Sequence, residues 1–226
     1  MRKDLTEVVF ILDKSGSMSG LEADTIGGFN SMLAKQRKED GEAYISTVLF
    51  NQRTRILHDR APINEVSPMN NTQYYVGGTT ALLDAIGGAV HHISSVHKYI
   101  REEDKPEKTL FIIITDGMEN SSRIYSYEAV KAMIEEKKTK DGWEFLFLGA
   151  NIDAIETAGN FGISADRAID YECDSEGTQL NYDVISETVS AVRRAESREE
   201  LNERIMSCSM PIREDYRRRH RSRKNM

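Results

Sequence analysis

Residues 5–17 read LTEVVFILDKSGS, an apolar run that leads directly into three oxygen-bearing side chains. The run is nearly all apolar past its glutamate, which indicates a central strand covered on both faces. Asp13, Ser15 and Ser17 follow within five positions, and Gly16 allows the chain to turn back on itself there. The stretch therefore predicts a buried strand that ends in a tight, oxygen-rich loop.

Two further stretches place oxygen-bearing side chains at the ends of predicted elements. Residues 109–115, TLFIIIT, form a second apolar run, and Asp116 comes directly after it. Residues 77–80, GGTT, precede a stretch at 80–101 whose apolar residues are three and four positions apart, which is typical of a helix. Three separate loops therefore offer oxygen ligands next to a strand end or a helix start.

The order of elements along the chain predicts the architecture. Strands are predicted at 5–12, 43–50, 54–58, 109–115, 143–148 and 168–171, and helices at 21–38, 80–101, 125–140, 153–161 and 181–206, the last broken near Ser197. This alternation predicts an α/β fold with a doubly wound, mostly parallel sheet and helices on both faces. Residues 54–58 are expected to form one antiparallel edge strand in a hairpin. In such sheets a site lies beyond the carboxyl ends of the strands, where the three loops meet.

One divalent cation site would explain why all three loops carry oxygen-bearing side chains. Mg²⁺ takes oxygen ligands in a near-octahedral shell, and we expect Asp13, Ser15, Ser17, Thr80 and Asp116 to form one site for it. Three of the five groups are neutral hydroxyls, so the metal would keep an affinity for one more anionic oxygen. The carboxylate of a partner's Asp or Glu is the natural further ligand. The alternative is that Ser15 and Ser17 cap the first helix and that Asp116 lies in a turn.

The pattern Asp-x-Ser-x-Ser at 13–17, together with Thr80 and Asp116, resembles the metal-ion-dependent adhesion site of von Willebrand factor A domains. All five family positions are present in the family's order, and the resemblance covers about residues 5–195. It implies that the serines and the threonine contact a Mg²⁺ or Mn²⁺ ion directly and that the aspartates act through waters. Residues 148–153, LGANID, resemble a stretch of bacterial members, which implies the bacterial intracellular type.

Thr79 and Thr80 are adjacent, and either could supply the threonine of this pattern. In the family the threonine is followed at the second and sixth positions by apolar helix residues. From Thr80 these are Leu82 and Ile86, which are both large, whereas from Thr79 both are alanines. The resemblance therefore implies Thr80 as the metal ligand.

Three other polar residues lie near these loops. Glu119 and Asn120 follow closely after Asp116, so they either rim the site or lie in a solvated loop. Asp84 comes one turn after Thr80 and could hold the loop from behind the ligands. None of the three is predicted to bind the metal.

Length, composition and cysteine usage limit the class of protein. The 226 residues, 39% of them hydrophobic and 30% charged, suit one ordinary globular domain. No apolar run approaches the length of a membrane span, and Asp13 ends the N-terminal apolar stretch too early for a signal peptide. Cys173 and Cys208 form no metal-ligand or redox spacing, which indicates free thiols in a reducing compartment. We therefore expect a cytoplasmic protein without membrane contact.

The net charge of −7 is unevenly distributed. Residues 217–224, RRRHRSRK, carry six Lys or Arg, and without them 24 basic and 37 acidic residues remain, a net charge of −13. An acidic body argues against general nucleic-acid binding, so nucleic acid would bind only through this tail. We expect a domain at 1–206 and a disordered basic tail at 207–226, the alternative being a tail folded back on the acidic body.

Three classes of function follow from these observations. The ligand types favour a metal-dependent protein–protein interaction module that binds a partner's acidic side chain and is not an enzyme. The second class is a Mg²⁺-dependent hydrolase, for which the sequence shows no second metal cluster, nucleophile–base pair or phosphate-binding glycine loop. The third is a nucleic-acid accessory protein that acts through the basic tail.

Overall fold

The computed structural model describes residues 1–224, with side chains for residues 1–221, so the last two residues of the predicted tail lie outside the described range. Within this range the elements are, in chain order, β1 (Arg2–Asp13), α1 (Glu22–Gln36), β2 (Glu42–Phe50), β3 (Thr54–Pro62), α2 (Leu82–Tyr99), β4 (Pro106–Thr115), α3 (Tyr127–Lys140), β5 (Glu144–Gly149), α4 (Ala154–Asn160), β6 (Ala168–Asp170), α5 (Ser175–Arg194) and α6 (Arg198–Lys224). Every predicted strand and helix is present, and the last predicted helix is interrupted between α5 and α6, as expected near Ser197.

The six strands form one sheet in the order β3-β2-β1-β4-β5-β6. β3 runs antiparallel to β2, and every other pair of neighbours is parallel. The pairing of β3 with β2 is irregular, with register shifts on both sides of Thr47. The predicted α/β architecture, a mostly parallel sheet with one antiparallel edge strand, is confirmed.

Alternate residues of the central strand β1 enter two separate cores. Val8 and Phe10 pack with side chains of α1, α5 and α6 on one face of the sheet. Val9 and Ile11 pack with side chains of α2, α3 and α4 on the other face. All four side chains are fully buried, which explains why the strand is almost uninterruptedly apolar. The helices therefore cover both faces, as the doubly wound arrangement requires.

The C-terminal stretch differs from its prediction. Residues 207–224 continue α6, so the expectation of a disordered tail is wrong for them, and the proposed boundary at residue 206 falls inside this helix. Leu201, Ile205 and Ile212 lie on one side of α6 and are buried against the first core. Their spacing of four and seven positions is helical, and this apolar side holds the helix on the domain.

The basic end of α6 contacts the acidic body. The Arg219 guanidinium lies 2.6 Å from the Asp174 carboxylate and 2.8 Å from that of Glu176. His220 Nε2 lies 2.9 Å from Glu172 Oε1. These ion pairs correspond to the alternative expectation, in which the tail folds back on the acidic body.

The helices and the cysteines bear on the expectations of no membrane span and of free thiols. Among residues 1–224, no helix has the length and apolar character that crossing a bilayer requires. Cys173 and Cys208 are both free thiols, as their sequence spacing indicated.

Gly87 and Gly88 are neighbours in α2, but only one of them is required by packing. A β carbon at Gly87 would lie 2.5 Å from the ring of Tyr125, whereas nothing lies within 4 Å of a β carbon at Gly88. We expect Gly87→Ala to lower the free energy of unfolding by about 1–3 kcal/mol because the ring must move. Gly88→Ala should raise it by about 0.5–1 kcal/mol because alanine is the better helix former. Urea unfolding of both variants measures the difference, and equal effects would contradict this packing.

Candidate metal centre

The sheet topology brings the three oxygen-rich loops to one edge. β1 and β4 are parallel neighbours, so Asp13 at the end of β1 and Asp116 just after β4 lie side by side. The loop before α2 reaches the same place, where the backbone N–H of Gly16 donates to the carbonyl of Gly78 at 3.0 Å. This contact joins the loop that carries Thr80 to the loop that carries Ser15 and Ser17. The convergence predicted from the sequence is therefore observed.

Hydrogen bonds connect the side chains of this edge. Ser15 Oγ lies 2.9 Å from Ser17 Oγ, and Ser17 Oγ donates to Asp116 Oδ1. Asp13 Oδ1 accepts from the backbone N–H of Ser15 at 2.7 Å, and its Oδ2 accepts from Thr115 Oγ1 at 2.6 Å. The carboxylates are thus held in fixed orientations next to the hydroxyls.

Gly117 adjoins the hydroxyls of the candidate centre. Thr80 Oγ1, Ser17 Oγ and Ser15 Oγ lie 3.0, 3.1 and 3.8 Å from the position that a β carbon would take at Gly117. Three hydroxyl oxygens therefore border one small space, which any larger residue at this position would fill. With two carboxylates beside it, this donor set fits a small cation that prefers oxygen ligands.

Both aspartates of the centre are buried, at 1% exposure for Asp13 and 2% for Asp116. Burial raises the pKa of each carboxyl, although hydrogen bonds from Thr115 and Ser15 oppose the shift at Asp13 and one from Ser17 opposes it at Asp116. Within the described part of the chain, neither carboxylate takes part in a salt bridge. A proton or a bound cation would each relieve the cost of burying these two carboxylates without a counter-charge.

The donor types distinguish this centre from sites for softer metals. Among residues 1–221, no group of three or more His, Cys, Asp or Glu side chains is placed to hold a metal ion. The candidate centre instead combines two carboxylates with three hydroxyls. Such an oxygen-only set differs from the nitrogen- and sulfur-containing sets that softer metals prefer.

The alternative reading of the serines as helix caps is wrong. Ser15 precedes a short helical turn at residues 16–18, but its side chain makes no capping hydrogen bond. Ser17 lies inside this turn, and its hydroxyl donates across to the loop after β4. The residue that precedes α1 is Leu21, which cannot cap through its side chain. Neither serine therefore caps a helix, and both hydroxyls remain available as ligands of the candidate centre.

The polar residues near the loops support the centre from behind. Asn120 Oδ1 accepts from the backbone N–H of Thr80 at 2.9 Å, and the Asn120 backbone N–H donates to the Thr80 carbonyl at 3.0 Å. Glu119 Oε2 accepts from the N–H of Leu83 at 2.8 Å. Asp84 accepts from three consecutive backbone N–H groups of the loop after β4, each at 2.9 Å. These bonds tie the loop after β4 to the start of α2. Asp84 was expected to hold the loop of Thr80, and it instead holds residues 123–125.

Two residues reach the centre that the sequence did not indicate. Cys173 Sγ donates to Asp116 Oδ2 at 3.4 Å, and the Tyr74 hydroxyl donates to the backbone carbonyl of Asp13 at 2.6 Å. Burial and the neighbouring Asp116 raise the pKa of the Cys173 thiol to about 12, so the thiol stays protonated and acts as a donor. Both residues come from loops distant in sequence, and no local pattern marks them.

The outer side of the centre is open to solvent. Ser17 and Thr79 are exposed, and Met118, next to Gly117, is 71% exposed. Lys14 lies on the loop that follows β1, and its Nζ is 4.0 Å from the centroid of the exposed Tyr75 ring. Among the three hydroxyl residues, Ser17 therefore borders solvent, whereas Ser15 and Thr80 are buried, at 1% and 3% exposure.

Several solved protein structures have a fold similar to that of this chain. Proximal thread matrix protein 1 from the mussel byssus, with a zinc-occupied MIDAS motif, aligns with a TM-score of 0.53 and 16% identity over 82% of this chain and 46% of that one. The ArnB paralog VWA2 from Sulfolobus acidocaldarius aligns with a TM-score of 0.50 and 18% identity over 82% and 45%. A von Willebrand factor type A structure from Catenulispora acidiphila aligns with a TM-score of 0.51 and 15% identity over 82% and 42%.

This chain spans less than half the length of each of the three proteins. No protein-family model and no curated protein matches the sequence. At 15–18% identity this structural similarity establishes the fold alone.

Proposed function

We propose that this chain, which has the von Willebrand factor A fold, is a metal-dependent protein–protein interaction module. In this proposal Ser15, Ser17 and Thr80 bind a Mg²⁺ or Mn²⁺ ion directly, and Asp13 and Asp116 hold it through water. The ion would supply the positive charge that attracts a carboxylate from a partner's Asp or Glu. The chain's own residues would hold the ion and would leave its outer side accessible to the partner.

One observation carries this proposal: three hydroxyls and two buried carboxylates converge beside Gly117. The hydroxyls are neutral, so they do not saturate the ion's demand for anionic oxygen. A structural neighbour holds zinc at a MIDAS motif, which supports a divalent metal in a site of this fold. The oxygen-only donors of this chain favour Mg²⁺ or Mn²⁺.

We propose binding rather than catalysis because the three histidines of α2 lie in the half of that helix that is remote from the centre. His91, His92 and His97 occupy the second half of α2, whereas the start of that helix faces the centre. His97 Nε2 also lies 2.6 Å from Glu7 Oε2. The unpaired thiols support a cytoplasmic setting for this function. Mg²⁺-dependent hydrolysis that is lost in Asp116→Ala would instead favour the hydrolase alternative.

The double substitution Ser15→Ala with Ser17→Ala tests the proposal. Titration calorimetry with Mg²⁺ and Mn²⁺ should show binding to the wild type and none to the double variant, which loses two direct ligands. Capture of a partner from cell extract should require Mg²⁺, stop with chelator and be absent for the double variant.

Ser19→Ala provides the matched control. Ser19 is exposed and follows the same turn without contributing to the candidate centre, so this variant should bind metal and partner as the wild type does. Circular dichroism checks that all variants are folded. Full-strength capture by the double variant would show that the metal centre is not the binding surface.

A further inference from the structure

A β-bulge in β3 places two consecutive side chains on one face of the sheet. Consecutive residues of β2 pair with Ile56 and His58, so Leu57 is an extra residue in β3. Leu57 packs against the first core, and the His58 ring lies parallel to that of Phe29 in α1, 6.3 Å away between centroids. Both residues therefore face α1. On the side that faces α2, no side chain of β3 lies between Ile56 and Asp59.

A glycine of α2 faces the same gap. Nothing lies within 4 Å of the position that a β carbon would take at Gly88. The bulge and the glycine together leave a cavity of about 160 Å³ between the sheet and the helix, which we name the β3–α2 cavity. Carbon atoms form almost all of its lining, and these come mainly from Val9, Val48, Ile56, Gly88, Ala89 and Ile93.

The β3–α2 cavity opens to solvent at the edge of the sheet. Asp59 and His92 border it and pair with each other at 2.8 Å, and their side chains are 52% and 37% exposed. Within residues 51–62, Ile56 is the only exposed large apolar residue. A protein interface has a centre of several apolar side chains, and this polar surface does not provide one. The opening therefore suits a free small molecule better than a docked protein.

The volume and the lining of the cavity define the class of ligand. Drug-sized ligands occupy pockets of about 300 Å³ or more, so the β3–α2 cavity is too small for them. An engineered apolar cavity of about 150 Å³ in another protein stays dry and binds benzene. We propose that the β3–α2 cavity binds an uncharged aromatic or branched aliphatic molecule of about the size of benzene. This site goes beyond the proposed metal function and does not depend on it.

Packing would provide the affinity, and charge on the ligand would reduce it. The lining atoms of an apolar cavity lack contacts on one side, and a ligand restores those contacts. A charged ligand such as benzoate would instead bring its carboxylate from water towards carbon atoms and Asp59. Toluene should therefore bind at least about tenfold more tightly than benzoate.

Titration of the full chain with toluene tests the site directly. Chelator is present throughout, so that the candidate metal centre takes no part. The methyl signals of Val48, Ile56 and Ile93 should shift in NMR spectra, with a dissociation constant on the order of 1 mM. An absence of shifts, shifts confined to other methyl groups, or equal affinity for toluene and benzoate overturns the inference.

Gly88→Leu fills the cavity from the helix side. Because nothing surrounds the β carbon at Gly88 and leucine is a good helix former, we expect this variant to fold. It should bind toluene at least about tenfold more weakly than the wild type. Gly27→Leu is the matched control, since Gly27 is exposed in α1 and nothing lies within 4 Å of its β carbon. This control should bind toluene as the wild type does.

Two further outcomes decide against the inference. Equal toluene affinity of Gly88→Leu and the wild type overturns it. N-acetyl-leucinamide that shifts the same methyl groups and binds more tightly than toluene overturns it in favour of a protein's side chain. If Gly88→Leu does not fold, the shifts of the wild type decide alone, since they locate the bound molecule.

Discussion

Glu7→Ala should lower the free energy of unfolding by about 3–5 kcal/mol, because it breaks a buried charge cluster. Glu7 lies in β1 with no exposed side-chain surface, and its carboxylate is 2.7 Å from Arg60 Nε and 2.6 Å from His97 Nε2. The substitution leaves the largely buried Arg60 guanidinium without its counter-charge and the His97 ring without its hydrogen-bond partner. It also removes the side-chain contacts through which this cluster joins β1 to β3 and α2.

Urea unfolding followed by the fluorescence of Trp143, the chain's single tryptophan, measures this effect. The Trp143 ring packs edge-on against His97 at 5.4 Å between centroids, so it reports on the same region. Asp59→Ala is the control, since Asp59 pairs with His92 at 2.8 Å on the exposed surface. That variant should cost less than about 1 kcal/mol. A similar cost for the two substitutions would contradict the importance of burial at Glu7.

Gly117→Ala should weaken Mn²⁺ binding by at least about 10–100-fold, the range seen when groups that position metal ligands are altered, while every candidate ligand remains. Its β carbon would lie 3.0 Å from Thr80 Oγ1 and 3.1 Å from Ser17 Oγ, so it would displace the hydroxyls from the shared space. The backbone at Gly117 is outside the left-handed region, so alanine adds no backbone strain there. The substitution therefore tests the location of the ion by occupying its place.

Gly159→Ala is the control for this experiment. Nothing lies within 4 Å of a β carbon at Gly159 in α4, so the variant should bind Mn²⁺ as the wild type does. Titration calorimetry gives the affinities, and thermal melting with chelator checks that Gly117→Ala is folded. Undiminished Mn²⁺ affinity in Gly117→Ala would show that the ion does not lie among these hydroxyls.

The sheet and most helices could be predicted because apolar periodicity records which faces are buried. The run at 109–115 is apolar on both faces since β4 lies at the centre of the sheet. The end of α6 was harder to predict because residues 217–224 are polar on all sides. Its docking depends on Arg219 meeting Asp174 across the fold, which no local pattern encodes. The helical spacing of Ile205 and Ile212 was a local signal for its first half.

The candidate centre likewise contains residues that could be predicted from the sequence and residues that could not. Asp13 and Asp116 could be placed together because each follows an apolar strand and parallel strands end at one edge. Cys173 and Tyr74 could not, since they are 57 and 61 residues from the groups they contact. Glu7 looked like an ordinary polar residue near a strand start, because its partners lie 53 and 90 residues away.

The irregular pairing of β3 also bears on self-association. β3 is one edge of the sheet, and its register shifts, the φ of 46° at Arg60 and the terminal Pro62 interrupt its outward row of backbone groups. The other edge, β6, has three residues, and the Arg213 guanidinium donates a hydrogen bond to the carbonyl of Ala168 at 2.8 Å. Neither edge offers a long, flat template for another strand, so the fold resists edge-to-edge aggregation. We therefore expect strand pairing between the sheet edges of two copies of this chain to be disfavoured.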